Sequence, residues 1–254
     1  MVNVKTVSDY INKIAPYNTQ CSWDNSGILV GDENAEVKKV GVCLDLTEET
    51  LENGIDEGVN LIITHHPLIF TAQKNFLSDD KAYKIAKNGI HLISVHTPFD
   101  CAEGGINCVL CDLLGIENAE GIEDSECLLP MARIGDVKEQ SSTEFAHFVA
   151  EKLDTVCRVV DCGNTLKKVA VCGGAGFDFF SEAVKMGADA YVTGELKHHE
   201  MLLAKEKGIT VIDAGHFYTE NPAMTVLKNK LENEFSGVEF VILNQSAPCE
   251  FIGK

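Results

Sequence analysis

The sequence predicts an α/β protein made of two similar α/β domains that arose by internal duplication, with mainly parallel sheets covered by helices. Three observations predict it. Lys38–Cys43 reads KKVGVC and Lys167–Cys172 reads KKVAVC. At the same spacing Glu57–Thr64 falls on Met186–Thr193, and after a small shift in loop length Asn88–Ile93 falls on Lys207–Ile212. His96-Thr-Pro-Phe-Asp100 then lies against His216-Phe-Tyr-Thr-Glu220, each a histidine followed four residues later by a carboxylate. Matched blocks in one order mark a repeat, and the alternation of strand and helix within each half calls for parallel strands with covering helices.

The elements run in order along the chain. Val4–Ile14 has helical periodicity. Lys39–Leu44 is a strand, and Glu48–Gly58 is a helix with Thr47 as N-cap and glycine at its end. Leu61–Thr64 is a short apolar run suited to a buried strand. Lys81–Lys87 is a helix with Gly89 beyond it, and Ile90–Val95 is the next strand. Ala102–Leu114 is expected to be one helix ended by Gly115. Helix Thr143–Leu153 comes next, and the second half then repeats the scheme. Leu166–Cys172, Ala190–Thr193 and Thr210–Asp213 are strands; Phe179–Met186 and His198–Lys207 are helices. Pro222 suits the first turn of a helix capped by Asn221 and running to Glu234, and Val238–Leu243 is a last strand. The acidic, aperiodic stretch from Gly121 to Asp124 is the expected boundary. It gives a first repeat over 1–124, joined by the C-terminal segment 220–254, and a second over 125–219.

Composition narrows the function classes. Of 254 residues, 45% are hydrophobic and 24% charged, a globular balance. The formal charge is −18, and Arg133 and Arg158 are the only arginines. Nucleic-acid binding needs basic surface to replace phosphate counterions, so that partnership is disfavoured. No apolar run approaches the ~20 residues of a membrane span, and Met1–Tyr10 lacks the apolar centre of a signal peptide. The expected location is the cytoplasm, without membrane association, and the ten cysteines are expected to be reduced. Cys108 and Cys111 form a CxxC, but inside an apolar helical pattern and without a second pair at zinc-ribbon spacing.

The chemistry gathers at the carboxyl ends of the strands, where ligands collect in α/β sheets. Strand Asn60–Thr64 stops at His65-His66-Pro67. The strand ending at Val95 leads to His96 and Asp100, and its duplicate leads to His216 and Glu220. Neighbouring residues on a strand point to opposite faces. Either Pro67 ends the strand and His65 and His66 converge, or each serves a different ion, which suggests a two-metal centre. Nitrogen and oxygen donors without thiolate suit Zn, Mn, Fe, Co or Ni. His91, within a strand, and His147, within a helix, read as ordinary hydrogen-bonding residues, and His198 and His199 could form a solvated helix face. Gly173–Gly176, between a strand and a helix, could cradle a phosphate on its amides, although a tight turn explains it as well. Trp23-Asp-Asn-Ser-Gly27 reads equally as a turn with a packed aromatic and as a contact with the site.

Five motifs in order, Trp23-Asp-Asn-Ser-Gly27, Thr64-His-His-Pro67, His96-Thr-Pro-Phe-Asp100, Thr193-Gly-Glu-Leu-Lys-His-His199 and Gly215-His-Phe-Tyr-Thr-Glu220, resemble the NIF-three-like dinuclear-metal family, whose members are often described as homologues of GTP cyclohydrolase I type 2. The resemblance spans Asp9 to Leu243. It implies two divalent metal ions per subunit held by His65, His66, Asp100, His216 and Glu220, with Glu220 bridging, and a toroidal homohexamer. His96 and His199 match positions near the metals and are the candidates for proton transfer or substrate contact. Glu195 departs from the aspartate common at that position, and the chain is too short for the domain that longer members insert between the halves. The resemblance implies metal-dependent hydrolysis of a nucleotide or similar small substrate, GTP among them. The alternative is a non-catalytic metal-binding, metal-delivery or scaffold protein.

Overall fold

A computed structural model describes residues 1–123 and 128–252. In chain order the elements are α1 (Val4–Ile14), β1 (Gly27–Val30), β2 (Lys39–Cys43), α2 (Glu48–Asp56), β3 (Leu61–Thr64), α3 (Lys81–Lys87), β4 (His91–Ser94), α4 (Thr97–Cys101), α5 (Ile106–Leu113), β5 (Glu117–Ile122), β6 (Ala132–Ser141), α6 (Ser142–Lys152), β7 (Arg158–Val160), β8 (Thr165–Cys172), α7 (Phe180–Lys185), β9 (Ala190–Thr193), α8 (His198–Lys207), β10 (Thr210–Asp213), α9 (His216–Glu220), α10 (Pro222–Glu234) and β11 (Glu239–Ile242). The chain forms two compact units, Met1–Gly105 with Ala223–Ser246, and Ile106–Pro222 with Ala247–Lys254.

The first unit holds a five-stranded sheet in the order β1-β4-β3-β2-β11. β11, β2, β3 and β4 run parallel, and β1 closes the edge antiparallel to β4. β3 is buried along its whole length, as expected of a parallel strand covered on both faces. Leu51, Val59, Ile62, Ile85, Leu92 and Leu243 form one core cluster of this unit. Helix α2 begins at Thr47, whose hydroxyl accepts the Thr50 amide in a capping box.

The second unit holds a six-stranded sheet in the order β5-β6-β8-β9-β10-β7. β8, β9 and β10 are parallel, with antiparallel β7 beside β10. Alternating residues of these strands face two separate cores. Val169, Val171 and Val192 pack with Phe145 and Val149 of α6. Ala170, Tyr191 and Val211 pack with Phe180 and Ala183 of α7. This is the two-residue period of a strand buried on both faces.

The duplication is visible in the registers. Val40 pairs with Leu61 and Cys43 with Thr64; Val169 pairs with Ala190 and Cys172 with Thr193, at the matched positions of the two halves. Each half also carries the same polar clasp. The Asn60 carboxamide oxygen accepts the amides of Lys38 and Lys39 at 3.0 and 3.2 Å, and the Asp189 carboxylate accepts those of Lys167 and Lys168 at 2.8 and 2.9 Å. Both halves place an antiparallel strand, β1 or β7, outside the last parallel strand.

The structure departs from the expectations in three places. The single helix expected over Ala102–Leu114 is two, α4 and α5. Gly104 sits at φ +65°, and a Cβ on Gly105 would lie 1.9 Å from the Phe99 carbonyl oxygen, so the chain turns sharply between them. The stretch from Gly121 is no linker: Gly121 and Ile122 pair with Arg133 and Ala132 as the end of β5. Asp124, the end of that expected boundary, lies outside the described residues. Segment 106–123 belongs to the second unit, because Leu110, Cys111, Leu114 and Ile116 pack in the core of that sheet. Third, eight described cysteines are reduced thiols, as expected, but Cys21 is disulfide-bonded. Among the described residues no helix is long and apolar enough to cross a membrane.

If the polar clasp fixes the start of each parallel pair, Asn60→Ala and Asp189→Ala should each lower stability by about 1–2 kcal/mol. Urea unfolding midpoints measure this; unchanged midpoints in both variants would show that the clasps are dispensable.

Candidate metal centre

In the first unit three histidines converge beyond the ends of β3 and β4. The ligand atoms of His65, His66 and His96 all lie within 4.8 Å of one another. Their rings are 4.9 to 5.4 Å apart, centre to centre. Of the two alternatives for His65 and His66, the structure therefore shows convergence. Strand pairing stops at Thr64, and the amides of His65 and His66 both bond to the Leu44 carbonyl, at 3.2 and 3.0 Å, so strict alternation no longer applies. The Thr64 and Ser94 hydroxyls meet at 2.7 Å and tie the two strand ends together.

Each ring is held through Nδ1 by an oxygen. For the fully buried His65 the partner is the Val95 carbonyl at 3.0 Å. For His66 it is Asp45 at 2.7 Å, itself held by the Gln245 amide at 2.6 Å. For His96 it is Asp24 at 3.0 Å. A carbonyl or ionised carboxylate only accepts, so Nδ1 carries the hydrogen and the lone pair resides on Nε2. This is how a metal-binding histidine is oriented by an outer partner. Asp100, buried on α4, brings Oδ1 to 3.5 Å from His65 Nε2.

In the second unit both ring nitrogens of His216 face carboxylates. Its Nδ1 lies 2.7 Å from Glu195 Oε1, and its Nε2 lies 3.0 Å from Glu220 Oε2, one turn along α9. Glu220 is buried. Two lone-pair atoms this close require a cation, either a proton on the imidazole or a metal ion. Gly174 lies against them: a Cβ there would sit 2.2 Å from Glu220 Oε1 and 3.0 Å from His216 Nε2. The glycine loop thus allows close approach to these side chains, and three of its four amides are taken up within the protein. Those of Gly173, Gly174 and Gly176 donate to Asn107, Thr219 and Thr193. A cavity of about 550 Å3 opens beside His216, lined among others by Arg158, Glu195, Tyr218 and Phe251.

His96 and His216 are not strict counterparts. The Val95 amide bonds to the Thr64 carbonyl and the Ala214 amide to the Thr193 carbonyl, so the register sets Gly215 opposite His96 and His216 one residue later. His199 is exposed in the first turn of α8, beside exposed His198. His91 is an ordinary hydrogen-bonding residue, accepting the Asp32 amide at 3.1 Å. His147 is exposed on α6.

The loop Trp23–Ser26 is both a turn and part of the histidine cluster. Ser26 Oγ accepts the His96 amide at 3.0 Å, and Asp24 also receives the Thr97 hydroxyl at 2.6 Å. Burial would raise the Asp24 carboxyl. The hydrogen bond and charge of His96, with the Thr97 hydroxyl and the Asn25 amide, outweigh it and hold the group at about 2, against 3.8 ordinarily. Asp45 and Gln245 were not legible as site residues, because they lie far from the histidines in sequence and carry no local pattern. Glu195 had a signal only within the Thr193–His199 motif.

Known proteins share this sequence and this fold. The family model of Duf34/NIF3 (NGG1p interacting factor 3) matches residues 2–248. A Clostridium perfringens protein named GTP cyclohydrolase 1 type 2 homolog is 34% identical, over 99% of this chain and all of its own length. One of the same name from Clostridium acetobutylicum is 33% identical over 91% of this chain and 90% of its own. The crystal structure of the Staphylococcus aureus hypothetical protein SA1388 superposes with a TM-score of 0.91 at 27% identity, covering 98% of this chain and 99% of that one.

The depressed Asp24 group gives a pH test in chelator-treated protein. Its folded value lies below its unfolded value, so its stabilisation is complete above about pH 4 and is lost as pH falls through about 2, a change of roughly 2 kcal/mol. Asp24→Asn should be less stable than the parent near pH 5, and the gap should close toward pH 2 in urea unfolding. A gap that stays constant contradicts the assignment.

Proposed function

The chain belongs to the Duf34/NIF3 family, and from that premise we propose that it is a metal-dependent hydrolase acting on a nucleotide or similar small substrate. The observation that carries the reading is the shared polarity of the imidazoles: His65, His66, His96 and His216 all have Nδ1 against an oxygen acceptor. Nitrogen and oxygen donors of this kind fit a divalent transition metal, and the missing side chain of Gly174 lets the Glu220 carboxylate lie beside His216 Nε2.

In this proposal two divalent ions per chain are held by His65, His66 and Asp100 of the first unit and by His216 and Glu220 of the second. Such ions supply Lewis acidity, which polarises a substrate and makes water acidic enough to act as a nucleophile near neutral pH. The residues do the rest. The Val95 carbonyl, Asp45 and Glu195 fix ring orientation for His65, His66 and His216 before any ligand arrives. His96 moves a proton at Nε2, with Asp24 stabilising the charged ring. His199 is proposed as a substrate contact from α8. Hydrolysis of GTP is the first activity to test, because the Clostridium relatives carry that enzyme's name. A homohexamer and a cytoplasmic location are proposed on the family resemblance.

Elemental analysis of purified protein should find about two metals per chain, and His65→Ala and Glu220→Gln should both lose metal. His96→Ala should keep its metal and lose about 10²–10⁴-fold in kcat on whichever substrate is turned over. Saturable metal binding with no turnover of nucleotides or phosphoesters would instead support a metal-delivery role. No metal above background after reconstitution would rule out both.

A further inference from the structure

Two large aromatic side chains flank the histidine cluster of the first unit and stay half exposed. Trp23 keeps 51% of its surface open and Phe70 46%. Each meets the His96 ring edge to face, at 5.6 Å between centres and at angles of 69° and 88°. They come from separate loops, and the loops are fastened together: the Asn25 side-chain amide donates to the Ile69 carbonyl at 2.6 Å. Asp24 meanwhile holds His96 through Nδ1. A run of four residues thus fixes one aromatic, the imidazole, and the loop that bears the second aromatic.

Large apolar rings gain free energy when they are taken out of water. Holding two of them open at the rim of one imidazole cluster forgoes that gain unless something else covers them. Flat aromatic faces bind other flat rings by stacking, and they do so with little demand on the ring's exact substituents. The chemistry on offer is therefore a ring platform next to metal-ligating imidazoles.

We propose that Trp23 and Phe70 are specificity-determining residues that hold a planar nitrogen heteroaromatic ring, of the nucleobase class, against the His65, His66 and His96 cluster. This deepens the hydrolase reading and rests on it for the identity of the site. The stacking contact itself concerns binding and needs no turnover. It also makes the ring a part of the substrate that the first unit selects.

Trp23 is the only tryptophan in the chain, so its fluorescence reports on this position alone. Full-length protein, metal-free and metal-loaded, is titrated with guanosine, adenosine and cytidine, and with ribose 5-phosphate as the ringless control. At least one nucleoside should quench saturably while ribose 5-phosphate does not. Phe70→Leu should weaken that nucleoside about tenfold, consistent with the loss of one stacking partner. Trp23→Leu, measured by calorimetry, should do the same. Both leucine variants should keep the parent's metal content, so a failed stacking contact is distinguishable from a failed metal centre. Absence of quenching by all three nucleosides, or equal affinity in Phe70→Leu, would overturn the proposal. So would a change in assembly mass in both leucine variants with nucleoside affinity unaltered, since the rings would then be covered by another copy of the chain.

Discussion

Parallel strands buried on both faces have no freedom to end at different heights, because each backbone group left unpaired in the core costs as much as a lost hydrogen bond. β2, β3 and β4 are locked in such a register, with Cys43, Thr64 and Ser94 as the last paired residues. The residues just beyond them are all delivered to one edge. Leu44 offers a carbonyl, His65 and His66 turn onto it, and Val95 presents the carbonyl that sets the His65 ring. The histidine cluster is a consequence of where the sheet stops.

The same constraint operates in the second unit with different side chains. β8, β9 and β10 end at Cys172, Thr193 and Asp213. Gly174 and Gly194 come next, where side chains would strike Glu220, His216 and Thr219. Thr193 and Thr219 hydroxyls take up the loop's polar groups, through the Gly176 amide, the Gly174 carbonyl and the Gly174 amide. Duplication supplied two equal frames. One was filled with imidazoles and the other with one imidazole, two carboxylates and glycines that make room for them.

The way the sheets are built also decides which features are legible in the sequence. Buried parallel strands are short apolar runs, and repeating them twice made Lys39–Leu44, Leu61–Thr64 and their duplicates readable. The short antiparallel edge strands β1 and β7 were missed, and so were β5 and β6, whose apolar residues are interrupted by Glu117, Glu120, Asp136 and Lys138. His65, His66, Asp100, His216 and Glu220 stood out because they come after readable strands. The partners that orient them did not: Asp45 and Gln245 are 200 residues apart in sequence yet bond to each other at 2.6 Å. Trp23–Ser26 was ambiguous because turn chemistry and site chemistry use the same residue types. The break between α4 and α5 was hidden because a glycine pair inside an apolar pattern does not announce a close backbone approach such as Gly105 makes with Phe99.

The Nδ1 atoms of His65, His66, His96 and His216 are set against protein oxygen, and in the function proposed above this leaves Nε2 for a metal. Diffraction from crystals of the metal-loaded protein, recorded at the metal's absorption edge, tests it most directly. Anomalous peaks should lie in contact with Nε2 of His65, His66 and His216, with Nδ1 still on Val95, Asp45 and Glu195. Metal bound through Nδ1 of these rings, or placed away from them, would contradict it.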